Sequence, residues 1–115
     1  MNLLRRLANV PPVPYLISWI LAHMSFAIPS QRLRETETLL AFYHPQPAYP
    51  FHVVILPKKD IRSFAELDPS DPFLADLVAT VQSLMQEYQL SDYRVIVNAG
   101  NAQAFPHLHF HLVSG

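Results

Sequence analysis

Phe73, Leu77, Val78, Val81, Leu84, Met85 and Tyr88 recur at helical spacing, while Asp76, Thr80, Ser83 and Glu87 fall on the opposite side. That period predicts an amphipathic helix of roughly four to five turns. Ser70 or Asp71 can cap it, and Pro72 suits the first helical turn, where its missing N–H is not needed. Elsewhere the apolar runs are short and rich in β-branched or aromatic residues. Leu39–Tyr43, Phe51–Leu56, Arg94–Asn98 and Leu108–Val113 read as strands. Phe51–Leu56 is almost wholly apolar, as expected of a central strand covered on both faces. A proline-rich turn, His44 to Pro50, joins the first two strands, and a loop over 99–106 leads into the last. Upstream, 15–27 reads as a short apolar helix stopped by Pro29. It is preceded by an arm, 1–14, that ends in Pro11-Pro12-Val13-Pro14. Strands joined by short turns, with helices set apart from them, imply an α+β fold on an antiparallel sheet.

Composition narrows the class. At 115 residues the chain has the length of a single domain, half of it apolar and only 15% charged, which favours a packed core over disorder. Eight Lys and Arg against nine Asp and Glu leave no basic excess to hold a nucleic-acid backbone. With no cysteine, disulfide and thiol chemistry are excluded, and a reducing cytoplasm fits. Eleven prolines against two glycines make the turns stiff. The apolar stretch from Tyr15 to Ile28 follows Arg5 and Arg6 as in a signal peptide, but no small-residue cleavage site closes it. It is also shorter than the roughly 20 residues that cross a bilayer, so it is read as a helix packing on the core, not a membrane span.

The chemistry concentrates near the C-terminus. Alternate residues of a strand share a face, so His107, His109 and His111 line up on one side and Leu108, Phe110 and Leu112 on the other. Imidazoles can gain or lose a proton near neutral pH, and stacking three of them is costly unless a site uses them. Two uses compete. Three histidines can hold zinc, but the outer pair of such a run is separated by roughly 13 Å along a strand, wide for one ion. Alternatively a central imidazole attacks an electrophile while its neighbours orient it and manage protons. The spacing favours the second.

His107-Leu-His-Phe-His-Leu-Val113 resembles the histidine-triad motif, His-φ-His-φ-His-φ-φ with φ apolar, which defines the HIT family, and it matches at every position. Asn98-Ala-Gly100 and Gln103 resemble the family's approach to the triad. Leu40-Ala-Phe42, the proline-rich turn and His52 to Lys59 resemble its first catalytic strand pair, and Ile28-Pro29 with Glu35 its leading segment. The likeness runs over roughly 20–115 and implies one HIT domain spanning 1–115. It would carry about five antiparallel strands, one long helix and a short N-terminal helix.

The resemblance also implies roles. His109 would attack the α-phosphorus of a nucleoside phosphate derivative, giving a nucleotidyl-histidine intermediate. His107 would orient it by hydrogen bonding, His111 would assist the leaving group, and His52 would meet the triad from the neighbouring strand. Asn98 and Gln103 would contact phosphate oxygens. The expected function is a nucleotide phosphohydrolase or nucleotidyl transferase acting on a phosphoramidate, a mixed anhydride or a dinucleoside polyphosphate. Its partner would be a purine nucleotide or derivative, and it would need no metal or cofactor. Three departures bear on the substrate: His44 stands where the family commonly has a ribose-holding Asp, Ala104 replaces a common serine, and the loop before His107 is about two residues short. They keep open a non-catalytic nucleotide-binding module, and the same histidines keep open a metal site. Lys58 and Lys59 could draw in an anion, and Tyr43 and Tyr49 could wall a base pocket. Many family members are dimers, and Trp19, Ile20, Met24 and Phe26 are more apolar surface than one small core can bury, so a homodimer is expected.

Overall fold

The computed structural model describes residues 32–115. The arm, the apolar helix, Trp19, His23 and the Ile28-Pro29 segment lie outside the described residues. Among the described residues five strands form one antiparallel sheet: β1 (Arg32–Glu35), β2 (Leu39–Tyr43), β3 (Phe51–Pro57), β4 (Arg94–Val97) and β5 (Phe110–Ser114). Their order across the sheet is β1-β2-β3-β5-β4. β3 is the centre, and its residues from His52 to Pro57 are all buried. β1 has no apolar alternation to announce it. Arg-Leu-Arg-Glu is a charged strand at the edge of the described sheet, with an irregular register between Arg32 and Arg34.

One helix, α1 (Pro72–Glu87), packs on one face of the sheet. Asp71 caps it by accepting from the Phe73 N–H at 2.9 Å, and Pro72 opens the first turn. Its buried side chains are Phe73, Leu77, Thr80 and Leu84. The expected apolar face is therefore narrower and slightly rotated. At about 100° per residue, Val78 sits about 140° around from Phe73 and is exposed, while Thr80 sits only about 20° away and is buried. The helix is tied to the β1–β2 edge by polar contacts. Arg34 donates to Ser83 Oγ at 3.0 Å and pairs with Glu87, and Asp76 accepts from Thr38 Oγ1 at 2.6 Å.

Because strand side chains alternate, the sheet separates core from chemistry. Leu39, Ala41, Val53, Ile55, Phe110 and Leu112 face α1 and join Phe73, Leu77 and Leu84 in the main core. Leu40, Phe42, Val54 and Leu56 form a second apolar layer on the opposite face, with Phe105 against it. In register, His52 pairs with Val113 and Val54 with His111, so both histidines stand on that second face, away from the helix.

Leu84 is fully buried beneath the sheet, whereas Val78 is 55% exposed. Leu84→Ala is expected to lower unfolding stability by about 2–5 kcal/mol, and Val78→Lys by less than about 0.5 kcal/mol. Urea unfolding of the two variants beside the parent measures both. Comparable losses would contradict this placement of the helix.

Candidate active site

The triad run is not all strand. β5 starts at Phe110; His107 lies in a bend before it, and Leu108 and His109 belong to no regular element. The reason lies in β3, whose last residue is Pro57 and has no N–H to continue the ladder. The Leu108 N–H instead donates to the Ile61 carbonyl at 2.9 Å. The alternation nevertheless holds. Leu108, Phe110 and Leu112 are in the core, while His107 is buried and His109 and His111 are half-buried at the other face.

There a cavity of about 230 Å³ is lined by His44, Val54, Leu56, Asn98, Ala104, Phe105, His107, His109 and His111. No carboxylate lines it. His44 arrives from the turn after β2, Val54 and Leu56 from β3, Asn98 from the end of β4, and the triad from the approach to β5. His52 lies just behind, its Nε2 2.9 Å from His111 Nδ1.

The hydrogen-bond partners assign the protons. His109 Nδ1 lies 2.9 Å from the His107 carbonyl, which can only accept, so Nδ1 carries the hydrogen and Nε2 keeps its lone pair. His107 Nε2 likewise donates to the Pro57 carbonyl at 3.0 Å. His52 Nδ1 accepts from the Ala48 N–H at 3.1 Å, so neutral His52 holds its proton on Nε2 and donates it to His111 Nδ1. That leaves neutral His111 with an N–H at Nε2. His44 Nδ1 accepts from the Gln46 N–H at 3.0 Å, which again puts the hydrogen on Nε2. Of the five imidazoles, His109 alone has a free Nε2 lone pair.

Burial acts on the rest. It pushes His111 down to about 4, with help from His109, His52 and His44. It also lowers His107, His52 and His44 from the ordinary imidazole value. His111 is therefore neutral at neutral pH.

The residues expected from sequence fall into three groups. His109, His111, His107, His44 and Asn98 share the cavity, and His52 backs it. The contact from His107 to His109 comes from its main-chain carbonyl, and not from its ring, whose buried Nδ1 finds no partner among the described residues. Gln103 is buried, and its amide nitrogen donates to the Arg62 and Phe105 carbonyls, both at 2.6 Å. It holds the loop that carries Phe105 and borders a separate cavity of about 390 Å³ beside Arg62 and Ser63. Tyr43 packs on Tyr88 and Phe51, on the helix side of the sheet, and so does not wall the cavity. Tyr49 stands edge-on to His52, with Arg94 5.1 Å over its ring. Lys58 pairs with Glu35 and Lys59 with Asp71. The backbone donors Ala48 and Gln46, which set two tautomers, were not foreseeable from residue type.

A metal would have a different triple to use than the one the motif suggests. His44, His52 and His111 each place one nitrogen within 4.8 Å of the others. Both nitrogens of His52 are already in hydrogen bonds, so ligation there would forfeit the Ala48 or the His111 contact.

Among the described residues, an imidazole cluster on the face of a five-stranded α+β sheet opposite its helix defines a histidine-triad architecture. The HIT domain family model matches 25–115, and the chain belongs to that family. A HIT-like protein of Chlamydia pneumoniae is 36% identical over 92 residues, 76% of this chain and 84% of that protein. Among solved structures, a HIT family hydrolase from Legionella pneumophila superposes with a TM-score of 0.69 at 31% identity, covering 79% of this chain and 86% of that one. A histidine triad nucleotide-binding protein from Candida albicans does so with 0.67 at 30%, covering 81% and 71%.

The depressed histidines predict an acid weakness. An unfolded imidazole titrates near about 6.5, and His111 in the fold near 4. As pH falls across that window the unfolded chain binds a proton that the folded site refuses, so stability is full above about 6.5 and declines toward 4. Glu35, Asp68 and Asp71, lowered by hydrogen bonds from Lys58, Ser70 and Phe73, add their losses at lower pH. Denaturant unfolding at pH 7 and pH 4.5 should show the decline. His111→Asn should remove part of it, on the order of 1 kcal/mol after discounting for solvent on the open side. An equal decline in that variant would count against the assignment.

Proposed function

We propose that the chain is a nucleotide phosphohydrolase or nucleotidyl transferase with His109 Nε2 as its nucleophile. One observation carries this reading: His109 alone of the five imidazoles offers a lone pair at Nε2, in a cavity without carboxylates. That lone pair forms a bond to the α-phosphorus, and the P–N or P–O bond to the leaving group breaks. The leaving group departs with the bonding electrons and takes a proton through His111. Water or another acceptor then attacks the nucleotidyl-histidine, freeing His109 and giving hydrolysis or transfer. The substrate is a purine nucleoside phosphoramidate, mixed anhydride or dinucleoside polyphosphate, and no metal takes part. The Legionella neighbour's name as a hydrolase and the Candida neighbour's as a nucleotide-binding protein support the class.

The purified protein should release a nucleoside monophosphate from adenosine or guanosine phosphoramidate in the presence of a chelator. His109→Ala should lower kcat by roughly 10⁴-fold or more, and a rapid acid quench should trap the nucleotidyl adduct on the parent only. No turnover, turnover that needs added metal, or a fully active His109→Ala would overturn the reading. A second reading is kept alive by Ala104 and by Gln103, whose amide hydrogens already serve two carbonyls and so add no phosphate donor. It is a module that binds nucleotide without turnover, and calorimetry with no product formed would establish it.

We further propose that the protein works as a homodimer in the cytoplasm. Among the described residues β4 is an edge strand, and Val95 on it and neighbouring Tyr93 are exposed, which leaves apolar surface for a second copy. The absence of cysteine fits a reducing compartment. No helix of the described residues is long and apolar enough to cross a membrane. Light scattering at micromolar concentration should give twice the chain mass of 13.1 kDa. A monomer there would refute the assembly.

A further inference from the structure

His44 directly follows β2 and is held from three sides. Its main-chain N–H donates to the His52 carbonyl at 2.8 Å and extends the β2–β3 pairing. Its ring lies 4.4 Å from that of His52 at 31°, and 6.0 Å from that of His111 at 26°. Its Nδ1 is taken by the Gln46 N–H. Its other polar atom, the Nε2–H, has no partner among the described residues, and the ring lines the cavity that His109 and His111 also line. The imidazoles that line the front of this cavity offer two N–H donors, from His44 and His111, and one lone pair, from His109. Val54 and Leu56 supply apolar wall. Two donors beside a nucleophile, with no acid to repel an anion, complement a tetrahedral centre that bears at least two acceptor oxygens.

We infer that His44 is a second oxyanion donor, whose Nε2–H binds a non-bridging oxygen of the phosphate that His109 attacks. The inference rests on the reading of His109 as a nucleophile toward phosphorus. His44 then holds a non-bridging oxygen while the His111 Nε2–H stays with the leaving group, and the His44 bond strengthens as negative charge builds on that oxygen during the displacement. His52, whose Nε2–H serves His111, stays behind as a positioning residue. His44 touches substrate and is therefore catalytic.

Inorganic phosphate titrated into the parent, His44→Phe and His44→Gln at pH 7.5, read by phosphorus NMR linewidths, tests this. Phe keeps a flat ring over His52 and removes the donor, while Gln returns an N–H. His44→Phe should bind phosphate about tenfold more weakly, and His44→Gln should stay within about threefold of the parent. Binding of adenosine, which has no phosphate, should not move. The phosphoramidate kcat of His44→Phe should fall by roughly 100-fold, as for loss of one oxyanion donor. Equal phosphate affinity in all three proteins would overturn the proposal. So would a parent that binds no phosphate, a folded His44→Gln as weak as His44→Phe, or adenosine lost together with phosphate. Turnover by a parent whose phosphate affinity ignores His44 would leave the reaction standing and remove His44 from it. Phosphate binding that depends on His44, with no nucleotide turned over, would keep the oxyanion seat and remove the nucleotide reaction.

Discussion

The hydrogen bond from His109 Nδ1 to the carbonyl of His107 is the contact on which the site depends. It joins residues two apart on one segment, and it fixes which nitrogen of the central imidazole is bare. A side-chain partner could rotate away or change protonation. A main-chain carbonyl in the segment leading into β5 can do neither, because the core holds the residues that follow it. Leu108 and Phe110 are buried against α1, and the Leu108 N–H is bonded to Ile61. The bare Nε2 of His109 is in this sense a property of the sheet. The same packing that makes the fold stable holds the carbonyl in place.

The remaining imidazoles follow the same logic with the opposite outcome. Backbone N–H groups of Ala48 and Gln46, both in the proline-rich turn, cap Nδ1 of His52 and His44, and each ring then carries its hydrogen on Nε2. His52 passes that constraint to His111. A stiff turn with three prolines among seven residues holds the two donors at fixed positions, which a glycine-rich turn would not. Burying so many imidazoles has a consequence for stability. Desolvation leads the causes that lower His44, His52, His107 and His111, so each is held neutral in a place where a lone unfolded imidazole would accept a proton as pH falls.

Much of this was legible in the chain. The helix over Pro72–Glu87, its Asp71 cap and the strands at Leu39 and Phe51 follow from period and capping chemistry, since each is a local rule that tertiary packing did not override. The triad's alternation survives even where its first half is not strand, because Leu108, Phe110 and Leu112 must reach the core. What could not be read depends on contacts distant in sequence. β1 is too charged to announce itself. Val78 and Thr80 exchange places because the apolar stripe is narrower than the run of apolar residues suggests. The placement of Gln103 depends on the Arg62 carbonyl, 41 positions away. The ring of His107 turns to Pro57, so the contact to His109 comes from its backbone. Residue types nominated the imidazoles, but their tautomers are set by main-chain groups that residue type does not reveal.

The most direct measurement is nitrogen NMR on protein labelled at its histidine rings, recorded near pH 7.5, where the buried imidazoles are neutral. Two-bond couplings to the ring carbons distinguish a protonated nitrogen from a bare one and give the tautomer of each ring. Among the five described rings the account predicts one protonated at Nδ1, lost in His109→Ala, with the signals of His44, His52, His107 and His111 all showing the hydrogen on Nε2. A His109 ring protonated at Nε2, or one that exchanges freely between its tautomers, would contradict it.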